Sequence, residues 1–271
     1  MRFSIIIVCL NAGEKLNQTL DSILSQTYTE YEIVVKDGGS CDRSIEEMRQ
    51  DHCIRLFKEP DKGIYDAMNQ AVAHARGDFL LFLNCGDLFY DEKVLERAAE
   101  AVESQAAAGA DVNGLVLYGD TYSARNQTMI ASAGRITGLT CYRNIPCHQS
   151  CFYSAALCKE KPYDLQYRIR ADYDHFLWCY YIKKAKMIHM GMAVSSYEGG
   201  GVSEDKRNHD RDREEHRQIT STYMSAGELL RYRLFMLCTF APLRSFLAEN
   251  SFFSGGYHWL KERIYHRIKQ E

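Results

Sequence analysis

The apolar positions of the first 120 residues switch between two periods. Ile5–Leu10 is a continuous apolar run, the mark of a strand covered on both faces. Leu16, Leu20, Ile23 and Leu24 then recur at helical spacing. Tyr31–Lys36, Ile54–Phe57 and Phe79–Leu83 predict three further strands, and Ile64–Ala75 a helix with Met68, Ala71, Val72 and Ala75 inward. Ser40 stands where it could cap a helix through Ile45 and Met48. A helix over 92–105 and a strand over 115–118 follow. Strands alternating with helices predict an α/β fold with a mixed, mostly parallel sheet flanked by helices.

After Asp120 the pattern loosens. Short strands are predicted near 128–132, 150–153 and 187–190, and a helix over 172–181. Gly199-Gly200-Gly201 marks a loop, and the charged stretch from Glu204 to Arg217 reads as a solvated helix or a lid. The economical division is a catalytic domain over 1–220 and a C-terminal helical extension over 221–271.

Composition narrows the function classes. The chain has 271 residues, 46% hydrophobic, with a formal net charge of -3. That length buries one sizeable core, and the charge balance is not that of a nucleic-acid binder. The apolar run after Met1 is short and ends at Asn11-Ala12-Gly13, unlike a signal peptide, and no stretch approaches the ~20 apolar residues of a spanning helix. Ten irregularly spaced cysteines therefore read as reduced thiols of a cytoplasmic protein. Cys147-His148 followed by Cys151 lacks the second pair that a closed zinc site wants.

In an open α/β sheet, ligands bind beyond the carboxyl ends of the strands. Three of the four leading strands end in polar, glycine-bearing loops: Asn11-Ala12-Gly13, Asp37-Gly38-Gly39 and Asn84-Cys85-Gly86-Asp87. Several such loops at one edge describe a site for a polar ligand. None is a Walker motif or a G-x-G-x-x-G fingerprint.

Longer motifs sharpen this. They are Ser4-Ile5-Ile6-Ile7 with Asn11, V-V-K-D-G-G-S-C-D from Val34, E-P-D-K-G-I-Y-D-A-M-N from Glu59, Gly77-Asp78, and L-L-F-L-N-C-G-D ending at Asp87. His148-Gln149 before Phe152, A-D-Y-D from Ala171 and G-G-V-S from Gly200 complete the set. In this order they resemble glycosyltransferase family 2, with its GT-A fold, most closely the branch that builds bacterial surface polysaccharides such as O-antigen and capsule.

The resemblance implies an inverting transfer of sugar from a nucleotide-sugar, most simply a UDP-sugar, to an acceptor hydroxyl. Asp37 would accept the uracil imide N–H, which suits an acceptor-only carboxylate, and Asn11 would line the same pocket. Asp61, Lys62, Asn69 and Asn84 would border the donor's sugar and diphosphate. Asp87 would bind Mn²⁺ or Mg²⁺ bridging the diphosphate, although Asn84 and Cys85 stand where acidic residues are common. His189 would be a further metal ligand. Asp172 would be the catalytic base, Ala171 replacing the usual acidic neighbour, and His148 and Gln149 would lie on the acceptor side. Gly199–Ser203 would close over bound donor.

From Leu229 onward Leu, Phe and Tyr interleave with Arg, and Tyr257–Lys269 repeats the pattern. This is the signature of basic amphipathic helices on an anionic membrane surface, and equally of helices packed on protein. Membrane contact suits a polyprenyl-linked acceptor at the cytoplasmic face of the inner membrane; a free saccharide is the other acceptor class. Two other functions share these features: a sugar-nucleotide-binding protein with weakened catalysis, and a nucleotidyltransferase, whose usual glycine-rich loop after the first strand is not found here.

Overall fold

The computed structural model describes residues 1–199 and 206–238. The chain divides into two units, Met1–Ile219 and Thr220–Glu271. The first opens with β1 (Phe3–Cys9), α1 (Lys15–Leu24), β2 (Tyr31–Asp37), β3 (Ile54–Lys58), α2 (Ile64–His74), β4 (Phe79–Phe82), β5 (Leu88–Phe89) and α3 (Val94–Ala107). It continues with β6 (Leu115–Ser123), β7 (Thr128–Ile130), α4 (Gly138–Arg143), β8 (Cys151–Ser154), α5 (Ala155–Glu160), α6 (Ala171–Tyr181), β9 (Lys186–Tyr197) and α7 (His209–Tyr223), which runs to the second unit. There, α8 spans Ala226–Cys238.

The strands form one sheet in the order β3-β2-β1-β4-β8-β6-β9-β5, with β7 on β6. β1 is central, pairing in parallel with β2 and β4, and β3 extends this parallel half. That position explains its unbroken apolar run. Ile5, Ile7 and Phe3 pack in one core with Leu16, Leu20 and Ile23 of α1 and with Leu95, Ala98 and Val102 of α3. β8 enters antiparallel to both β4 and β6. Because it runs the other way, the residues that precede β8 reach the same edge as the residues that follow β1, β2 and β4.

Three expectations change. The segment after Ser40 is turns, not a helix. The Ser40 hydroxyl is occupied elsewhere: it donates to Asp37 Oδ1 at 2.6 Å and accepts from the Asn11 N–H at 2.8 Å. The strand expected at 187–190 runs on to Tyr197, because its second half pairs with both β6 and β5. Ser150, expected to open a strand, instead ends a single 3-10 turn, His148–Ser150, before β8. Gly200–Asp205, which includes the whole G-G-V-S motif, and the apolar and basic tail beyond Cys238 lie outside the described residues.

Candidate active site

The parallel half of the edge is fastened by its own loops. Asp37, 2% exposed, ends β2. Besides the Ser40 hydroxyl, its carboxylate accepts the Ser40 N–H at 3.1 Å and the Gly39 N–H at 3.3 Å. Asn11 adopts φ +51°, and its side-chain oxygen accepts the N–H of Cys41 at 2.8 Å and of Asp42 at 3.3 Å. These bonds tie the end of β1 to the loop after β2. The Ser40 N–H also reaches Oδ2 at 3.2 Å, so three donors share the carboxylate's about four lone-pair positions.

Lys36, one residue earlier, is 0% exposed. Its ammonium meets Asp61 Oδ2 at 2.6 Å. Asp61 also accepts the Gly63 N–H at 3.1 Å. Gly38 makes this approach feasible, since a Cβ there would sit 2.5 Å from Asp61 Oδ2. Lys62 is exposed, and its backbone N–H goes to Asp66 Oδ2 at 2.8 Å. Asn69, expected to border the donor, holds a backbone segment. Its amide brackets the Tyr163 backbone, donating to the carbonyl at 2.9 Å and accepting the N–H at 2.8 Å. With both ends spent, Asn69 anchors the segment leading to α6.

The mixed half holds different groups. Asp87, 4% exposed, accepts from Gln149 Nε2 at 2.8 Å and from the Glu198 N–H at 3.1 Å. Burial pushes its carboxyl up to about 6; those two hydrogen bonds oppose the rise, and the Glu198 charge adds to it. The Glu198 carboxylate pairs with Lys15 at 2.6 Å. It also stands over Gly86, where φ is +97° and a Cβ would meet Glu198 Oε2 at 2.5 Å. Asn84 accepts the Asp87 N–H on its carbonyl at 3.0 Å.

Gln149, expected on the acceptor side, makes this bond to Asp87. His148, next to it, is 9% exposed. Its ring stacks on Phe82 at 5.0 Å, and neither ring nitrogen has a hydrogen-bond partner. Burial holds the imidazole below its usual range, while the charge of Asp172 pulls the other way. The charges of both Asp87 and Asp172 act on Cys147, so the turn 147–149 is within electrostatic reach of the two carboxylates.

Asp172 stands in the first turn of α6, whose N-cap is Arg170; Asp172 is thus not the cap. Its Oδ1 is 2.9 Å from the Tyr65 hydroxyl, which lies 2.6 Å from the Ile169 carbonyl. A phenol has one proton, so the two acceptors share it. Tyr65 is held well above its usual range by burial and then by the Asp172 charge.

His189 is not brought to this cluster. Its Nε2 is 3.3 Å from Asp120 Oδ1 and its ring meets Tyr118. His189 faces Tyr118 and Tyr197 faces Ser123, so five strand positions, ~17 Å, separate His189 from the end of β9 next to Glu198. Among the described residues no three His, Cys, Asp or Glu side chains converge as a metal-ligand set. Asp87 and Glu198 nevertheless offer hard oxygen donors close enough for one charge to raise the other's pKa. One or two carboxylates completed by substrate phosphates is how such cations are commonly held.

Three members of the site escape sequence pattern. Glu198 directly precedes the triple glycine, a signal that an acid sits at a loop mouth. Lys36 is flanked by core valines on one side and Asp37 on the other. Tyr65 lies inside a recognised motif but carries no chemistry until Asp172 is placed beside it.

The family model for glycosyl transferase family 2 matches residues 4–161, more than half of the chain. A protein of Mycobacterium tuberculosis named PGL/p-HBAD biosynthesis glycosyltransferase is 35% identical over 208 residues, covering 74% of this chain and 78% of its own. That relative's name specifies PGL/p-HBAD biosynthesis, and neither O-antigen nor capsule. Among solved structures, S. aureus TarS in complex with UDP superposes with a TM-score of 0.65 at 19% identity, over 82% of this chain and 65% of that one. A mannosyltransferase from Pyrobaculum calidifontis, in complex with GDP-Man and Mn²⁺, gives 0.59 at 17% identity, over 82% and 63%. This chain thus spans less than two thirds of each of those solved chains. At such identities they show a shared GT-A fold.

Proposed function

The chain belongs to glycosyl transferase family 2, and from that membership we propose that it is an inverting transferase moving a sugar from a UDP-sugar to the hydroxyl of a lipid-linked or free saccharide. The observation that carries this reading is the turn 147–149: Gln149 donates to the buried Asp87 at 2.8 Å, while His148, with neither ring nitrogen bonded, feels the charge of Asp172.

In this reading the acceptor hydroxyl attacks the anomeric carbon from the face opposite the diphosphate. Asp172 takes its proton, as a carboxylate within hydrogen-bond reach can, while the bond from the anomeric carbon to the diphosphate oxygen breaks. The neutral His148 offers its unpaired nitrogens to the acceptor. Asp37 and Asn11 border the base, and Asp61 and Asn84 the sugar-diphosphate. Asp87 and Glu198 would hold Mn²⁺ or Mg²⁺, whose chemistry there is to offset charge on the leaving diphosphate. A building role at the cytoplasmic face of a membrane, for polysaccharide or glycolipid, fits a lipid-linked acceptor.

No helix among the described residues is long and apolar enough to cross a membrane. α8 exposes Leu230, Leu234, Phe235 and Leu237 beside Arg231 and Arg233, which supports peripheral contact with anionic lipid. Pelleting with anionic vesicles at low salt tests this; protein left entirely in the supernatant sinks it.

The main test is a panel of nucleotide sugars with Mn²⁺, read by thermal shift and by release of nucleoside diphosphate. One UDP-sugar is expected to bind and turn over slowly in water, and Asp87→Ala to lose the metal-dependent part. Binding without release in every case would favour the weakened-catalysis reading.

A further inference from the structure

α7 arises from the charged run that pattern alone reads as a solvated helix or a lid. Its inner face fastens the turn before α6, and His216 also meets the Tyr142 carbonyl of α4 at 2.9 Å. Glu215, 5% exposed, takes the N–H of Arg168 on Oε1 at 2.9 Å and those of Ile169 and Arg170 on Oε2, each at 3.0 Å. Three successive N–H groups aimed at one anion form a nest. Asp212, nearly one turn earlier, holds the Arg170 guanidinium through two bonds of 2.7 and 2.8 Å. His216 stacks on Tyr173 at 5.3 Å. Residues 168–170 lead straight into α6. The Ile169 carbonyl meets the Tyr65 hydroxyl that also meets Asp172. Glu215 and Asp172 are therefore joined through one peptide segment and one phenol.

We propose that Glu215 is a positioning residue for the transfer reaction: by filling the nest at 168–170 it sets the turn that aims Asp172 at the acceptor hydroxyl. This rests on the reading of Asp172 as the base. The negative charge is essential to the role. A glutamine would turn an NH₂ group toward three donors, leaving N–H groups unpaired in a buried place. An aspartate keeps the charge with a shorter reach. A glycine leaves a carboxylate-sized hole lined by N–H groups, which acetate fits.

The test uses the full chain with Mn²⁺ and the UDP-sugar that wild type turns over in the panel, with UDP itself as the probe of donor affinity. Glu215→Gln is expected to lower kcat by ~100-fold, the scale of an ångström's misplacement, while KM and the UDP dissociation constant move less than ~3-fold. Glu215→Asp should recover part of the loss, and acetate should restore Glu215→Gly by ~10-fold. Asp172→Asn added to Glu215→Gln should cost little more than Asp172→Asn alone, as coupled groups do.

Wild-type kcat in Glu215→Gln beside an inactive Asp172→Asn would overturn the positioning role and leave the base standing. Full activity in Asp172→Asn would overturn the base instead. Loss of UDP binding in step with kcat would make Glu215 a fold-holding residue only and defeat the proposal. Should Glu215→Gln not fold, the acetate response of Glu215→Gly decides alone: restored kcat supports the proposal and none overturns it.

Discussion

Asp37 and Asp172 are both carboxylates at the edge of the same sheet, and they are held in opposite ways. Asp37 draws its hydrogen bonds from residues two and three positions on. Asp172 meets a tyrosine 107 positions away. The contrast extends to their surroundings. In the parallel half, Asn11, Lys36, Asp37 and Asp61 are bonded to one another's loops. In the mixed half, Asp87 is buried at a cost to its ionised form and His148 is buried without partners. Satisfied groups contribute stability; unsatisfied ones are costs that a ligand can relieve.

Substitutions should separate the two halves. The largest effect is expected at Lys36→Met, which leaves Asp61 without its cation beside a buried site. Breaking such a pair costs about 3–5 kcal/mol, so urea unfolding should show that loss; a midpoint within error of wild type would break the contrast.

Next comes pH. Asp87 ionises near 3.8 unfolded and about 6 folded. Its contribution is therefore fully present below pH 3.8 and lost as pH rises through about 6, up to about 3 kcal/mol at 1.36 kcal/mol per unit. Because Mn²⁺ favours the ionised carboxylate, the melting-point gain from added Mn²⁺ should be larger at pH 7.5 than at pH 5. An equal gain at both would count against Asp87 as a ligand.

His148→Phe should do the reverse of Lys36→Met. Turnover is expected to fall about 30-fold, roughly 2 kcal/mol of barrier, while stability holds or rises by ~1 kcal/mol as two unpaired nitrogens are removed. A destabilised, fully active variant would contradict the assignment. Asn11→Ala is the smallest effect, about 1 kcal/mol from lost loop bonds, with the UDP dissociation constant changed only a few-fold.

The same contrast explains what sequence could convey. The parallel half was legible because its signals are local: an unbroken apolar run for β1, helical spacing in α1, and Asp-Gly-Gly at a strand end. Even there Ser40 misled, since a hydroxyl suited to a helix cap was taken by Asp37 and Asn11. In the mixed half the motifs named Asp87, His148 and Asp172, but not what they touch. Gln149's bond to Asp87 and Asn69's bracket on the Tyr163 backbone were equally invisible in the motifs. His189 was the reverse case, a metal-ligand type far along β9 from the cluster. Glu215 lay hidden in a charged run, although Asp212, Glu215, His216 and Ile219 fall at helical spacing and mark the inner face of α7.

The most direct measurement is the rate of UDP release from the selected UDP-sugar by wild type and Asp172→Asn, each saturated with donor and Mn²⁺ and each checked for UDP binding. Asp172→Asn is expected to bind UDP as wild type does and to release it at least ~100-fold more slowly, the lower end of general-base catalysis. Equal rates with equal binding would contradict it.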